Sequence, residues 1–289
     1  MLAIIGGVMI PMDWVTDYVL WFALLLIVFG VPHGASDYII YQQVAKLKEG
    51  ANGQLRFGLY YAAAIGLYGI IWGLSPLIAF AIFIFVSAYH FGQSNWHFLH
   101  FSGKVRRVYT FLLWGMAVIG VPVLLHHEAA GLIIYEITGY DLDFSEIRAP
   151  LIFGLIMFNL IHIVVLFEQD LIDRYKLYRE LSNFVLLMAL FATTPLLIGF
   201  GIYFMFWHSL SSSLDQVRAF KQKDEHYNIA KYIYHIIPLT IVAFLGLGAF
   251  YYFLGDQMNQ GINLGTFFLF IAIITVPHSI LMDKLYAQL

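Results

Sequence analysis

Residues 76–98 read PLIAFAIFIFVSAYHFGQSNWHF, and this stretch decides the class of fold. It holds no Asp, Glu, Lys or Arg. A helix of about 20 apolar residues crosses the roughly 30 Å hydrocarbon layer of a bilayer. Within that layer only helices and closed barrels satisfy their own backbone hydrogen bonds. The run is too long and too continuously apolar for a strand, so it predicts a transmembrane helix with His90 inside it.

The rest of the chain repeats the pattern. Of 289 residues, 61% are hydrophobic and 11% charged, and mean hydropathy is +0.79. Soluble domains carry roughly a quarter charged residues, and a bilayer is the solvent that tolerates this much apolar surface. Spans are predicted at Trp14–Val31, Phe57–Leu74, Pro76–Phe98, Val108–Leu125, Pro150–Phe167, Leu181–Leu197, Ile198–Asp215, Tyr232–Leu254 and Leu264–Met282. The expected fold is therefore an all-α polytopic membrane bundle, one domain over residues 1–289. It has about nine transmembrane helices, or eight if one is re-entrant near 74–76 or 195–199. Met1 to Met12 reads as an interfacial or partly inserted segment, without the basic start and small-residue cleavage site of a secretory signal.

Charge orients the bundle. The first connection holds Lys46, Lys48 and Arg56, and the third Lys104, Arg106 and Arg107. The fifth holds Arg174, Lys176 and Arg179, and the seventh Arg218, Lys221, Lys223 and Lys231. The second and sixth have no cations, the fourth is acidic (Glu128, Glu136, Asp141, Asp143, Glu146), and the eighth has Asp256. Basic loops stay in the cytoplasm. The N-terminus is expected outside and the C-terminus, with Lys284, inside. A net charge of −3 offers no footing for nucleic acid, and the absence of cysteine excludes disulfides and thiolate metal sites.

Histidine is the chemistry-bearing residue. His33, His90, His162, His208 and His278 each fall in an odd-numbered span, and all those spans run from outside to inside. The first following cytoplasmic cation comes 13 residues after His33, 14 after His90, 12 after His162, 10 after His208 and 6 after His278. Five imidazoles thus lie at similar depth in the cytoplasmic half of the membrane. A single intramembrane His serves as readily as a hydrogen-bonding partner between helices. Several at one depth fit a metal held in a bundle core, because neutral imidazole is the commonest ligand for iron, zinc and copper. Around them, Asp37 stands four residues after His33, placed to accept its second ring N–H. Gln93 shares a helix face with His90, and Ser211, Ser212 and Asp215 give the span after His208 a polar side. Val-Pro-His occurs at both His33 and His278. His97 and His100 read as interfacial, and His126 and His127 fall at the outer end of the fourth span.

One familiar chemistry is excluded and others are weakened. No span contains a lysine, so a retinal Schiff base has no attachment point. Neither HExxH nor HxxxH occurs, there is no glycine-rich phosphate loop, and intramembrane carboxylates are too few to suggest proton-coupled transport.

Val-Pro-His33-Gly-Ala-Ser-Asp37, Tyr-His90-Phe-Gly-Gln-Ser-Asn95-Trp, Leu-Ile-His162, Phe-Trp-His208-Ser and Thr-Val-Pro-His278-Ser-Ile-Leu-Met-Asp283 resemble, in order and spacing, the Brp/Blh family of bacterial and archaeal β-carotene 15,15′-dioxygenases. The resemblance implies an integral enzyme of the cytoplasmic membrane. It would use non-haem Fe(II) and O2 to split β-carotene, taken from the membrane lipid, into two retinals that a rhodopsin can take up. It carries His33, His90 and His208 over as iron ligands. The family's fourth ligand lies one turn beyond the His-Ser pair, where this chain has Ser212. His278 is the first choice to replace it and His162 the second. Asp37, Gln93, Ser212 and His162 are expected around the cofactor. Asn95 stands where the family commonly has Asp. Tyr89, Phe91, Trp96, Tyr203, Phe204, Phe206 and Trp207 are candidates to hold the polyene. Three other readings stay open: a b-type haem or quinone-linked electron-transfer protein, a proton-relaying channel, and a carotenoid-binding relative without oxygenase activity.

Overall fold

The computed structural model describes residues 26–44, 51–254 and 264–287, and among these every regular element is a helix. In chain order they are a π-helical segment Leu26–Gly30, then α1 Val31–Gly34, α2 Asp37–Val44, α3 Ala51–Leu74, α4 Pro76–Trp96, α5 Lys104–Leu125, α6 His127–Thr138 and α7 Arg148–Glu168. They continue with α8 Arg174–Thr193, α9 Leu196–Ile202, a second π-helical segment Tyr203–Ser209, α10 Leu210–Lys221, α11 Ile229–Leu254 and α12 Leu264–Tyr286.

Six of these are long and apolar enough to cross a membrane: Gly53–Leu74, Pro76–Trp96, Lys104–Leu125, Arg148–Glu168, Ile229–Gly246 and Phe268–Tyr286. They correspond to six of the nine expected spans. The expected first span, together with Lys46, Lys48, Asp256 and the segment Met1 to Met12, lies largely or wholly outside the described residues. The expected sixth span is long enough but not apolar enough, and the expected seventh is not one long helix. The first turns of α8 are charged, with Arg174, Lys176, Arg179 and Glu180. The seventh is broken into α9, a π-helical segment and the polar α10.

Where a helix was expected, it usually extends beyond the apolar run. α5 begins at Lys104 and α12 continues to Tyr286, because apolarity marks the hydrocarbon layer while backbone hydrogen bonding continues into the headgroup zone. α6 corrects a second expectation. The acidic fourth connection is not all loop: Ala130, Ile134 and Thr138 form a buried stripe at four-residue spacing, enough to seat a short amphipathic helix. It ends at Gly139, whose φ of 75° is the left-handed C-terminal conformation that glycine adopts without penalty.

The centre of the bundle is the α4–α5 pair. A Cβ on Gly92 would sit 1.8 Å from the Phe111 carbonyl oxygen, and one on Gly115 would sit 1.8 Å from that of Ala88. Two glycines therefore let the backbones touch, the usual device for close helix approach in membranes. Trp96, Trp114, Phe111, Phe184 and Phe191 fill the surrounding core. Polar side chains tie neighbouring helices where water cannot. Tyr68 donates to the Ala79 carbonyl at 2.8 Å, and Asn159 donates to the Leu113 carbonyl at 3.0 Å and that of Leu155 at 2.8 Å. The outer surface is apolar, with Leu67, Leu74, Phe85, Phe153, Phe158 and Leu245 all exposed, as lipid contact requires.

Candidate metal centre

Four histidines from four separate elements meet in the interior. His33 comes from α1, His90 from α4, His208 from the second π-helical segment and His278 from α12, and all are buried. Their rings form a closed cycle. Centroids lie 5.1 Å apart for His33–His208 and 4.8 Å for His208–His90. They lie 5.0 Å apart for His90–His278 and 4.7 Å for His278–His33. Every adjacent pair is edge-on, with interplanar angles from 73° to 87°. Ligand atoms of His33, His90 and His278 all fall within 4.8 Å of one another.

Local sequence explains how each ring is delivered. Pro32 and Gly34 flank His33 at a helix of only four residues, so the chain bends there rather than running straight on. Pro277 sits inside α12 immediately before His278. His208 lies in a π-helical turn, a feature frequent at functional sites because its wider turn re-aims side chains.

Hydrogen bonds assign the protons. His278 Nδ1 lies 2.6 Å from Asp37 Oδ1, so Nδ1 carries the proton and the Nε2 lone pair faces the cycle. Asp37 in turn accepts from the Tyr61 hydroxyl through Oδ2. Ser94 donates its single proton to the Phe91 carbonyl at 2.8 Å. Its oxygen, 3.2 Å from His208 Nδ1, must therefore accept from that nitrogen, which leaves His208 Nε2 as a free lone pair. These outer partners fix ring tautomer and orientation, as they do around most histidine-bound metals.

Nitrogens of His33, His90 and His278 lie close enough together to hold a metal ion, with the His208 ring beside them. His33 Nε2 and His278 Nε2 are 3.1 Å apart, a distance that suits either an N–H···N hydrogen bond or two ligands of one ion. His90 separates the two cases. Both of its ring nitrogens are buried without a partner, and so is Nδ1 of His33. A buried unpartnered polar atom costs roughly 1–3 kcal/mol, and a cation would take up one nitrogen of each ring, relieving one of the two orphans on His90.

The other expected residues sort clearly. Asp37 reaches the site, but through His278 on α12 and not through His33, four residues before it; the turn at Ala35 and Ser36 interrupts the helix between the two. Gln93, one turn beyond His90, donates to Asp283 Oδ1 at 2.8 Å, where the Tyr89 hydroxyl also donates at 2.7 Å. Ser212 is fully buried with its hydroxyl 3.1 Å from that of Tyr286. His162 lies outside the cycle, its Nε2 2.9 Å from Thr110 Oγ1 and its ring edge-on to Tyr109. His97 stacks on Tyr286 and faces Asp215 at 3.6 Å, and His126 binds the Phe191 carbonyl at 3.0 Å. Asn95 lies 3.4 Å from Glu180.

Of the aromatic candidates, Phe91 and Phe204 lie against His208 at 4.6 and 5.3 Å, and Tyr203 backs Phe91 at 5.7 Å. Trp96 belongs to the core beside Trp114, and Phe206 faces outward. Three contributors were not singled out from sequence: Tyr61, Ser94 and Phe200, whose ring packs 6.0 Å from Phe91. Ser94 lies within the motif around His90 and could have been noticed there. Tyr61 stands 24 residues from Asp37 on a different helix, and nothing local marks it.

Comparison with known proteins identifies the family of the chain. A family model described as beta-carotene 15,15′-dioxygenase matches residues 24–286. A protein of an uncultured marine bacterium, 66A03, named beta-carotene 15,15′-dioxygenase, is 28% identical over 276 residues, covering 92% of this chain and 94% of its own. A Halobacterium salinarum protein named probable beta-carotene 15,15′-dioxygenase Blh is 22% identical over 275 residues, covering 87% of this chain and 79% of its own. No solved structure matches the chain. All four clustered histidines fall inside the matched range, and the chain belongs to the β-carotene 15,15′-dioxygenase family of oxidoreductases.

Proposed function

We propose that the protein uses O2 to cleave the central double bond of β-carotene into two retinals, at a non-haem Fe(II) ion held inside the membrane by His33, His90, His208 and His278. The observation that carries this reading is the closed cycle of four buried imidazoles, one of them with no other partner for either nitrogen. When bound, Fe(II) supplies an O2-binding redox centre whose charge the neutral imidazoles do not cancel.

The chain's own residues set the conditions. Asp37, steadied by Tyr61, and Ser94 keep His278 and His208 in the tautomers that present Nε2 to the cycle. His278 takes the place left by Ser212, whose hydroxyl is committed to Tyr286. Phe91, backed by Tyr203, offers a flat apolar face against which a rigid polyene is held with its central bond near the imidazoles. The reaction needs no acid or base: the carbon–carbon double bond breaks, each carbon gains one oxygen atom, and O2 is the sole oxidant. That suits a site whose carboxylate, Asp37, is already occupied by two hydrogen bonds.

The accompanying topology has nine spans, an outer N-terminus and a cytoplasmic C-terminus, in the cytoplasmic membrane of a bacterium or archaeon. Its support is the placement of Arg106 and Arg107 in the first turn of α5, Arg174 at the start of α8 and Lys284 in the last turn of α12. The meeting of four histidines assigned to one depth also supports it. Retinal released into the lipid is available to a rhodopsin.

The test is expression in a β-carotene-producing bacterium, with retinal quantified by chromatography with and without an iron chelator, and metal content measured on the purified protein. Iron-dependent retinal is the expected result. A Soret band would replace this reading with a haem protein. Bound but unaltered β-carotene in an iron-loaded protein would identify a carotenoid-binding relative without oxygenase activity.

A further inference from the structure

The two π-helical segments pack on each other, and each feeds a histidine of the cycle. Tyr203–Ser209 contains His208, and Leu26–Gly30 runs directly into the turn that carries His33. On the seam between them lies Phe204. Its ring is partly exposed, stacks on Phe200 at 6.3 Å and stands 5.3 Å from the His208 ring. Opposite is Gly30, where a Cβ would meet Phe204 Cε1 at 3.0 Å and Cζ at 3.5 Å. The Phe204 ring thus occupies room that exists because residue 30 has no side chain. It is a phenyl ring in contact both with a histidine of the cycle and with the outer surface. Outside the seam the surface is apolar, with Val28, Phe29 and Phe206 exposed.

Position and chemistry limit what this seam admits. Phe204 precedes Arg218 by 14 residues, about 21 Å of helix, which on the proposed topology places it well inside the hydrocarbon layer. Phe91, Phe200, Phe204 and Gly30 present no side-chain hydrogen-bonding group, so neither a polar solute nor a hydrated ion is recognised there. A flat, apolar molecule dissolved in the bilayer is.

We propose that the seam between the two π-helical segments is the lateral access route for the polyene, with the Phe204 ring as the movable element and Gly30 as the clearance that sets which end group passes. This deepens the proposed function and rests on it.

The experiment measures uptake rather than turnover. Anaerobic, iron-loaded protein in detergent micelles is mixed with β-carotene, and the shift of the polyene absorbance band is followed in time. Gly30→Val is expected to slow uptake by about tenfold or more, since a misplaced methyl or two in an apolar passage is worth that much, while iron per chain stays at the wild-type value. Phe204→Ala is expected to speed uptake, and the double variant to return it toward wild type, because the added methyls then enter the space the ring left. Should Gly30→Val fail to hold iron, Phe204→Cys replaces it. The chain has no other cysteine, so a bulky maleimide blocks the seam selectively, and slow uptake is again expected. Wild-type uptake by an iron-loaded Gly30→Val variant, or by the alkylated protein, would overturn the proposal. Failure of the underlying function looks different: the unmodified protein itself would bind no iron or form no retinal in air.

Discussion

Gly92→Ala tests whether the site depends on the α4–α5 contact. The new Cβ would lie 1.8 Å from the Phe111 carbonyl oxygen, 2.4 Å from its carbon and 2.7 Å from its Cα, whereas real Cβ atoms essentially never come within 3.0 Å. The obstacle is backbone, which cannot swing aside as a side chain can, so the helices must part by about 1.2 Å in a tightly packed interior. Overpacking of this kind costs about 1–3 kcal/mol. Its functional reach is greater, because His90 is two residues away on α4 while its cycle neighbours sit on α12 and the second π-helical segment. A displacement near 1 Å at a reacting centre costs about 10²-fold in rate. Gly66→Ala supplies the control, for a Cβ there meets nothing within 4 Å. Both variants would be purified in detergent and compared for thermal midpoint, iron per chain and retinal formation. Gly92→Ala is expected to lose stability, iron and activity together, and Gly66→Ala none of them. A Gly92→Ala protein with wild-type iron content and activity would refute the argument that this contact positions the centre.

Alanine at His33, His90, His208 or His278 is expected to abolish iron retention and retinal formation, as metal analysis and chromatography would show. His162→Ala is expected to keep both and lose only about 1 kcal/mol of stability with its Thr110 hydrogen bond; iron loss in this variant would bring His162 into the ligand set. Asp37→Asn is expected to weaken iron binding about 10–100-fold in a chelator competition, with Tyr61→Phe less severe, and equal affinity in all three proteins would remove Asp37 from any role around the metal. Ser212→Ala is expected to retain iron, since its hydroxyl serves Tyr286; loss of iron without loss of fold, judged by circular dichroism, would make Ser212 part of the centre.

Much of the fold was legible because the bilayer imposes a simple rule on sequence. A helix crossing hydrocarbon must be apolar along its length, so α3, α4, α5, α7, α11 and α12 could be placed from hydropathy alone. The rule fails where a helix is not bathed in lipid. α6 was hidden by its acidic residues because only a narrow stripe of it is buried. α8 and the broken helix of residues 196–221 carry charge or irregular backbone that protein contacts satisfy, so their number and ends could not be counted by the same measure.

For the centre, sequence by itself determined which residues were eligible: an uncharged span can keep an imidazole only if something inside the bundle meets its ring nitrogens, and depth counted from the cytoplasmic cations grouped His33, His90, His162, His208 and His278. The motifs favoured His278 over His162, but that these four rings meet and His162 does not is a matter of tertiary structure. His162 shares their depth, but its ring turns to Thr110 and Tyr109, whereas His278 closes the cycle. The same holds for Asp37, whose spacing from His33 suggested one partner while the turn after α1 presented it to another, 241 residues away. Depth is a one-dimensional property that a chain writes along its length. Azimuth around each helix, and the π-helical turns and prolines that reset it, depend on how every other helix packs.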